Sequence, residues 1–438
     1  MSAIAMERPA GNVSSQRSRV RVDPDFQSIR NAVAERVPGL PRRDERISVD
    51  LGDGNGFVID LAEGTVRENA APDTSVDVSY ATSLRLMAGF LNGTMEPRTA
   101  LLYGRMPFTG KSECAVRCLD ELAGKRFPRQ ENFTDVPFPK PTTDLELRRA
   151  QLREYGFCIT KDALSAEQLE ALRIRMDDQA AAELAAEVAY QDGGKGANKA
   201  ARGYRGDNAE ADEATAEAIA PNQRVWLLHN KGKEFLDLLD NPIIEDLICN
   251  YLEEDFPWIS NFSANIVRRG AEPQFLHSDQ NSVQPPVPFA IGVNNMFCVD
   301  DFTEENGATI LIPGSHIAER GLAPDNIYTT KGTIAAVVPA GSCITFDSRL
   351  WHASGPSKPG APIRRGCILL MYRPWARQHN NGVLAVPPSV LATLSEKHKT
   401  MLGYRVTNGL GSIQTEPEGS MVGWDPDKIV VEMHADAT

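Results

Sequence analysis

The sequence predicts an α+β chain of more than one domain. A mixed α/β unit comes first, and a β-sandwich or barrel with flanking helices follows. Three observations lead there. The 438 residues are too many for one ordinary core. Two stretches interrupt regular structure: residues 127–143, with Pro128, Pro137, Pro139 and Pro141, read as a linker, and residues 191–222 are rich in Gly, Ala and mixed charge. From Ser263 to about Arg373 the chain is a succession of short apolar segments broken by Gly and Pro turns.

The elements follow in order. Met1 to Arg19 has no apolar h-region and is not a secretory signal, so residues 1–24 read as a mobile tail. Ile47 to Leu51 alternates with period two, as does Gly56 to Leu61 in part, with a Gly-Asp-Gly-Asn-Gly turn between them. Ser75 to Tyr80 alternates again. Leu84, Leu86, Met87, Phe90 and Leu91 mark one face of a helix, Ala100 to Met106 a further strand, and Val116, Leu119 and Leu122 a last amphipathic helix.

This layout resembles the sterol-carrier-protein-2 family over roughly residues 25–126. The phrases that carry it are Asp60-Leu61-Ala62-Glu63-Gly64, Asp77-Val78, Gly93 to Ala100, and Gly104-Arg105-Met106-Pro107-Phe108-Thr109-Gly110. The resemblance implies a mixed sheet with helices on one face around an apolar tunnel for lipids or acyl chains. Met87, Phe90 and Leu91 would then fill a core, the usual fate of a helical apolar stripe, or line the tunnel.

Residues 144–438 form the second expected domain. A helix begins near Asp144, and Tyr155 to Thr160 is a short strand. Ser165-Ala166-Glu167-Gln168 is a capping-box start for a helix through Leu169, Leu172 and Met176. Residues 191–222 are either a surface loop or a lid that orders over substrate. Phe235 to Leu252 contains a helix of apolar period, and the strands follow.

Bulk chemistry excludes several functions. A net charge of −13 argues against a nucleic-acid partner, which needs clustered Lys and Arg. No apolar run approaches the roughly 20 residues that span a bilayer. The seven scattered cysteines fit a reducing cytoplasm better than a disulfide framework, with Cys114 and Cys118 read as small buried hydrophobes.

The chemistry-bearing words are Phe275-Leu276-His277-Ser278-Asp279 and Leu350-Trp351-His352. Two imidazoles and one carboxylate are the donor set that holds Fe(II) on one face and leaves the other positions open. Residues i and i+2 on a strand face one side, so His277 and Asp279 can converge, with His352 supplied by a distant strand. A bare His-X-Asp is weak, because polar residues at alternate strand positions are common. Its context adds Asn306-Gly307, Pro313-Gly314-Ser315-His316, and His352 to Pro356 leading to Arg364-Arg365-Gly366. Together with Glu154-Tyr155-Gly156-Phe157, these closely resemble the phytanoyl-CoA dioxygenase family of Fe(II)/2-oxoglutarate oxygenases over roughly residues 142–380.

That resemblance implies a double-stranded β-helix (jelly roll), iron ligands at His277, Asp279 and His352, and 2-oxoglutarate and O₂ as co-substrates. It also implies an arginine for the distal carboxylate, since a guanidinium can donate two parallel hydrogen bonds. Arg364 and Arg365 are the candidates; on a strand only one can face the site, and the family pattern selects Arg364, leaving Arg365 as a solvated surface charge. Asn265 and Asn295 are candidates for hydrogen bonds to the co-substrate's inner end. His316 is assigned to the pocket rim rather than to the iron, Trp351 to packing, and His229, His379, His398 and His434 to ordinary core or surface positions.

The expected activity is oxidation of an unactivated C–H bond in a small hydrophobic metabolite, with release of succinate and CO₂. In related iron halogenases a small residue replaces the ligand carboxylate, so Asp279 points to oxygenation. The alternative is a lipid-binding or scaffold protein whose oxygenase domain no longer works. An upstream apolar-cavity domain favours an acyl, sterol-like or secondary-metabolite substrate; its other expected role is homodimerisation.

Overall fold

The computed structural model describes residues 21–69, 75–95, 100, 106–124, 138–192, 222–283, 286–320, 322–324, 327, 330, 332–407 and 410. Most of the expected tail, linker and lid lie outside the described residues. The chain divides into two compact units. One comprises Met1–Met95, Met106–Lys111 and Cys118–Lys125; the other comprises Glu96–Arg105, Ser112–Arg117 and Arg126–Thr438.

The first unit opens with α1 (Phe26–Arg36), capped by Asp25, whose side chain accepts from the Ser28 N–H. Strands β1 (Arg46–Gly52), β2 (Asn55–Asp60), β3 (Thr65–Glu68), β4 (Val78–Ala81) and β5 (Phe108–Gly110) form one sheet in the order β3-β2-β1-β4-β5. The sheet is mixed: β1 and β4 are parallel and the other neighbours antiparallel. Gly52, Asp53 and Gly54 all take positive φ in the β1–β2 turn, which the run of small residues permits. α2 (Leu84–Leu91) buries Met87, Phe90 and Leu91, and of α3 (Ser112–Leu122) the part from Cys118 onwards falls in this unit. Helix α1 and strand β3 were not foreseen. Of the strand expected over 100–106, residues 101–105 lie outside the described residues; Ala100 is helical, and the strand forms at β5.

In the second unit, α4 (Leu145–Tyr155) is capped by Asp144 and ends at Gly156 (φ 78°). A Cβ there would meet His316 Nδ1 at 2.5 Å, so the turn needs glycine twice over. β6 (Phe157–Thr160) follows, then α5 (Ala166–Ala185) with the expected capping box. The single helix expected over Phe235–Leu252 is broken. Asn241 is extended (ψ 132°) because Pro242 follows it, and a π-helical run, Ile244–Cys249, resumes beyond.

The remaining strands are β7 (Tyr190–Asp192), β8 (Asn222–Trp226), β9 (Trp258–Val267), β10 (Gly292–Cys298), β11 (Thr309–Leu311), β12 (Ile334–Ala335), β13 (Cys343–Asp347), β14 (His352–Ser354) and β15 (Arg364–Tyr372). They build an antiparallel sheet in the order β6-β13-β10-β15-β9-β8-β7 and a smaller one, β12-β11-β14. This is the jelly-roll architecture that the family resemblance implies, within the sandwich-or-barrel class that the run of short strands predicts. One face of the large sheet packs Phe262, Leu369 and Met371 against Leu172 and Met176 of α5. On the other face Met296, Ile344 and Phe346 pack with Leu311 of the small sheet. No described helix is long and apolar enough to cross a membrane.

Candidate metal centre

His277 and His352 meet as an antiparallel bridge between two chain segments, each donating its backbone N–H to the other's carbonyl at 2.9 Å. Their rings lie 4.4 Å apart. His277 Nδ1 is 3.1 Å from Phe275 O, and His352 Nδ1 is 2.9 Å from Leu350 O. A carbonyl only accepts, so each Nδ1 carries a hydrogen, and Nε2 is the ring nitrogen turned to a ligand position. Those two nitrogens converge on one carboxylate: His277 Nε2 is 3.7 Å from Asp279 Oδ1, and His352 Nε2 is 3.8 Å from Asp279 Oδ2. All three donors lie within 4.8 Å of one another. Asp279 does not sit on a strand as expected. It opens a 3₁₀ turn, Asp279–Ser282, which swings the carboxylate towards the imidazoles.

The electrostatics suit a cation. Burial, helped by neighbouring His352, pushes His277 down to about 4, so the ring is neutral and free to ligate at pH 7. Burial opposes the charge on Asp279, but His352 and His277, with smaller help from His379 and Asn294, outweigh it and hold the carboxyl below its ordinary range. Two imidazole nitrogens and one carboxylate match the Fe(II) donor set.

Arg364 begins β15 and is fully buried. Its Nη2 donates to Ser354 Oγ at 2.9 Å, and Ser354 lies two residues beyond His352 on β14. The guanidinium lies 4.3 Å over the Phe302 ring, while Nε and Nη1 are buried with no partner among the described residues. Burial lowers Arg364 to about 10, with the charge of Arg224 adding to the effect. A buried guanidinium with two idle donors and no carboxylate is a cradle for an anion.

Arg365 points the other way. It is not the solvated charge expected, because its side chain is 16% exposed and pairs with both Asp177 and Asp300 at 2.8 Å. Asn265 does face the site side of the sheet, with Oδ1 buried and unpartnered. Asn295 does not. It accepts from Thr345 Oγ1 at 2.7 Å on the opposite face, where strand alternation puts it. Its neighbour Asn294 takes the place beside the ligands, its Nδ2 donating to Asp279 Oδ2 at 2.9 Å.

Arg224 was also missed. It pairs across β8–β9 with Asn265, is 8% exposed, gives Nε to Asp192 at 3.0 Å, and keeps a buried, unpartnered Nη2. Its charge reaches both His277 and Arg364. His316 stands apart from the ligands, with Nε2 3.0 Å from Arg153 O. Beside it, Ser315 Oγ accepts the Trp351 N–H at 2.9 Å and so steadies the approach to His352. His229 is buried without partners, His379 Nδ1 lies 2.8 Å from Ser260 Oγ, and His398 contacts Asp240. His434 is outside the described residues.

Residues 152–366 match the family described as phytanoyl-CoA dioxygenase. Dioxygenase af480 of Aspergillus fumigatus is 30% identical over 314 residues, covering 67% of this chain and 89% of that protein. The multifunctional dioxygenase prhA of Penicillium brasilianum is 35% identical over 153 residues, 32% of this chain and 49% of that protein. Among solved structures, AviO1 from Streptomyces viridochromogenes Tue57 is similar over 54% of this chain and 98% of its own, with 19% identity and a TM-score of 0.40.

Proposed function

The chain belongs to the phytanoyl-CoA dioxygenase family, the Fe(II)/2-oxoglutarate oxygenases, and we propose that it oxidises an unactivated C–H bond of a small hydrophobic metabolite, by hydroxylation in the first instance. The observation that carries this reading is the convergence of His277, Asp279 and His352 beside a buried, uncompensated Arg364.

His277 Nε2, His352 Nε2 and Asp279 would hold the ion. Bound there, Fe(II) supplies O₂ activation coupled to conversion of 2-oxoglutarate into succinate and CO₂. Arg364 would receive the distal carboxylate on Nε and Nη1, donors that have no partner among the described residues. Arg224, a second cation on the same sheet face with a buried Nη2 that has no partner among the described residues, would suit the other end of a dianionic co-substrate. The Nδ1–carbonyl bonds keep both imidazoles in the ligating tautomer.

Apolar substrate contacts come from Leu370, which lies opposite Asn294, and from Tyr372 and Ala376, which cluster with it. Tyr372 Oη donates to the Asp279 carbonyl at 3.2 Å, so this apolar wall reaches the ligand turn. The unit upstream of the oxygenase is assigned to holding an acyl or sterol-like substrate.

The test is anaerobic addition of Fe(II) and 2-oxoglutarate to the full chain, followed by succinate release against a library of lipid and secondary-metabolite substrates. A weak visible charge-transfer band and substrate-stimulated succinate are expected. A flat spectrum with clear fluorescent fatty-acid displacement would instead identify a lipid-binding protein with an inactive oxygenase domain.

A further inference from the structure

Asn294 sits in the middle of β10, opposite Phe346 on β13 and Leu370 on β15. In that apolar company a leucine would fill the space without any polar atom to satisfy. The amide is nevertheless 4% exposed, and its Nδ2 donates to Asp279 Oδ2 at 2.9 Å. An ionised carboxylate only accepts, so the amide is oriented with Nδ2 towards Asp279. Its own Oδ1 is then left buried and without a partner among the described residues. An unpaired buried acceptor is unfavourable, so packing does not account for an asparagine here. The contact with Asp279 does.

Other groups hold the Asp279 main chain. Ser282 Oγ and Tyr372 Oη both donate to its carbonyl, at 2.9 and 3.2 Å, and neither bond reaches the carboxylate. Asn294 alone among the described residues donates to it.

We propose that Asn294 is a positioning residue that occupies Asp279 Oδ2, so that the carboxylate meets the ion through Oδ1 alone. This rests on the iron reading above and adds a coordination count to it. A six-coordinate ion held by two imidazoles and one carboxylate oxygen keeps three positions, which a chelating 2-oxoglutarate and O₂ together fill. A carboxylate attached through both oxygens takes one of the three. Asn294 therefore governs co-substrate binding without touching the co-substrate.

The experiment compares the full-length protein with Asn294→Leu, which fills the space without a donor, and Asn294→Ala. Metal-free samples are titrated with Co(II) alone and, anaerobically, with Fe(II) and then 2-oxoglutarate. The expected result is Fe(II) binding weakened about 10- to 100-fold. The Co(II) visible bands should shift in position and intensity, and the 2-oxoglutarate charge-transfer band should fade at concentrations that saturate the wild type. Circular dichroism and the metal-free melting midpoint should hold, which a merely structural role would not give. Where the Leu variant is unstable, the Ala variant supplies the same readouts. Variants with wild-type Co(II) spectra and a wild-type charge-transfer band overturn the role of Asn294 alone. A wild type with no band overturns the iron reading, and this inference with it.

Discussion

Replacing Arg364 with Met should make the ligand-free protein more stable and sharply reduce the stabilisation that 2-oxoglutarate adds. Burial takes the guanidinium from its ordinary strongly basic range down to about 10, which at ~1.4 kcal/mol per pH unit is an unfavourable term of about 3 kcal/mol for the charged side chain. The sign follows from linkage. A base with a depressed folded pKa stays charged in both states below about pH 10, so the full term is present at pH 7 and relaxes only as pH rises above about 10. Against it stand the Phe302 face and the Ser354 bond, together worth about 1–2 kcal/mol. Met keeps the length and removes the charge, so the variant should gain about 1–2 kcal/mol, or roughly 2–4 °C for a domain of this size.

Ligand binding acts in the opposite direction. A charge-assisted bond to a carboxylate contributes about 1.5–3 kcal/mol, so 2-oxoglutarate affinity should fall about 10- to 100-fold. At a hundredfold excess over its Kd, the co-substrate stabilises the wild type by about 2.7 kcal/mol; the same concentration should give the variant only about 0.4–1.4 kcal/mol. Thermal melts of both proteins with Fe(II), with and without 2-oxoglutarate under anaerobic conditions, measure both effects. A variant that melts lower without ligand and keeps its ligand-induced shift would refute the assignment of Arg364 as an empty anion cradle.

Other outcomes are as specific. Arg365→Ala loses its pairs with Asp177 and Asp300, so it should cost about 1 kcal/mol in denaturant unfolding while leaving 2-oxoglutarate affinity unchanged; a tenfold weaker affinity would exchange the roles of the two arginines. Asp279→Ala should abolish Fe(II) binding and substrate-coupled succinate, and unaltered turnover would reject the ligand set. Burial holds His229 at about 4 against an ordinary 6.5, so between those values the unfolded chain binds the extra proton. Stability should therefore fall by about 3 kcal/mol as pH drops through that window. His229→Leu should flatten the dependence in urea unfolding at several pH values, and an equal slope in both proteins would count against it.

The ligands were legible from the sequence because their residue types are rare in combination and their context is specific. Arg224 was not. It lies where a Gly- and charge-rich stretch gives way to β8, and a polar residue on a short strand reads as surface until the strand it pairs with is known. Its partner, Asn265, comes from β9, across the whole helical segment between them. The break at Pro242 was available locally, since proline disfavours a helical residue before it. Apolar periodicity on both sides masked it.

Asn294 against Asn295, and Arg364 against Arg365, are a different kind of problem. In each pair the two residues are of one type or one charge, so alternation says that one faces the site but not which. The answer lies in strand phase, which is set by burial. On β10, Val293 and Phe297 are 0% exposed, and on β15 so are Cys367, Leu369 and Met371. All five pack on the helix-covered face. A strand that turns those residues inward must turn Asn294 and Arg364 to the other side, while Asn295 and Arg365 share the helix-covered side. A one-residue slip of either strand would expose its apolar row and carry the wrong asparagine or arginine to the metal. The same burial that stabilises the large sheet therefore selects which polar residues serve the ion, and it does so from the face that never meets it.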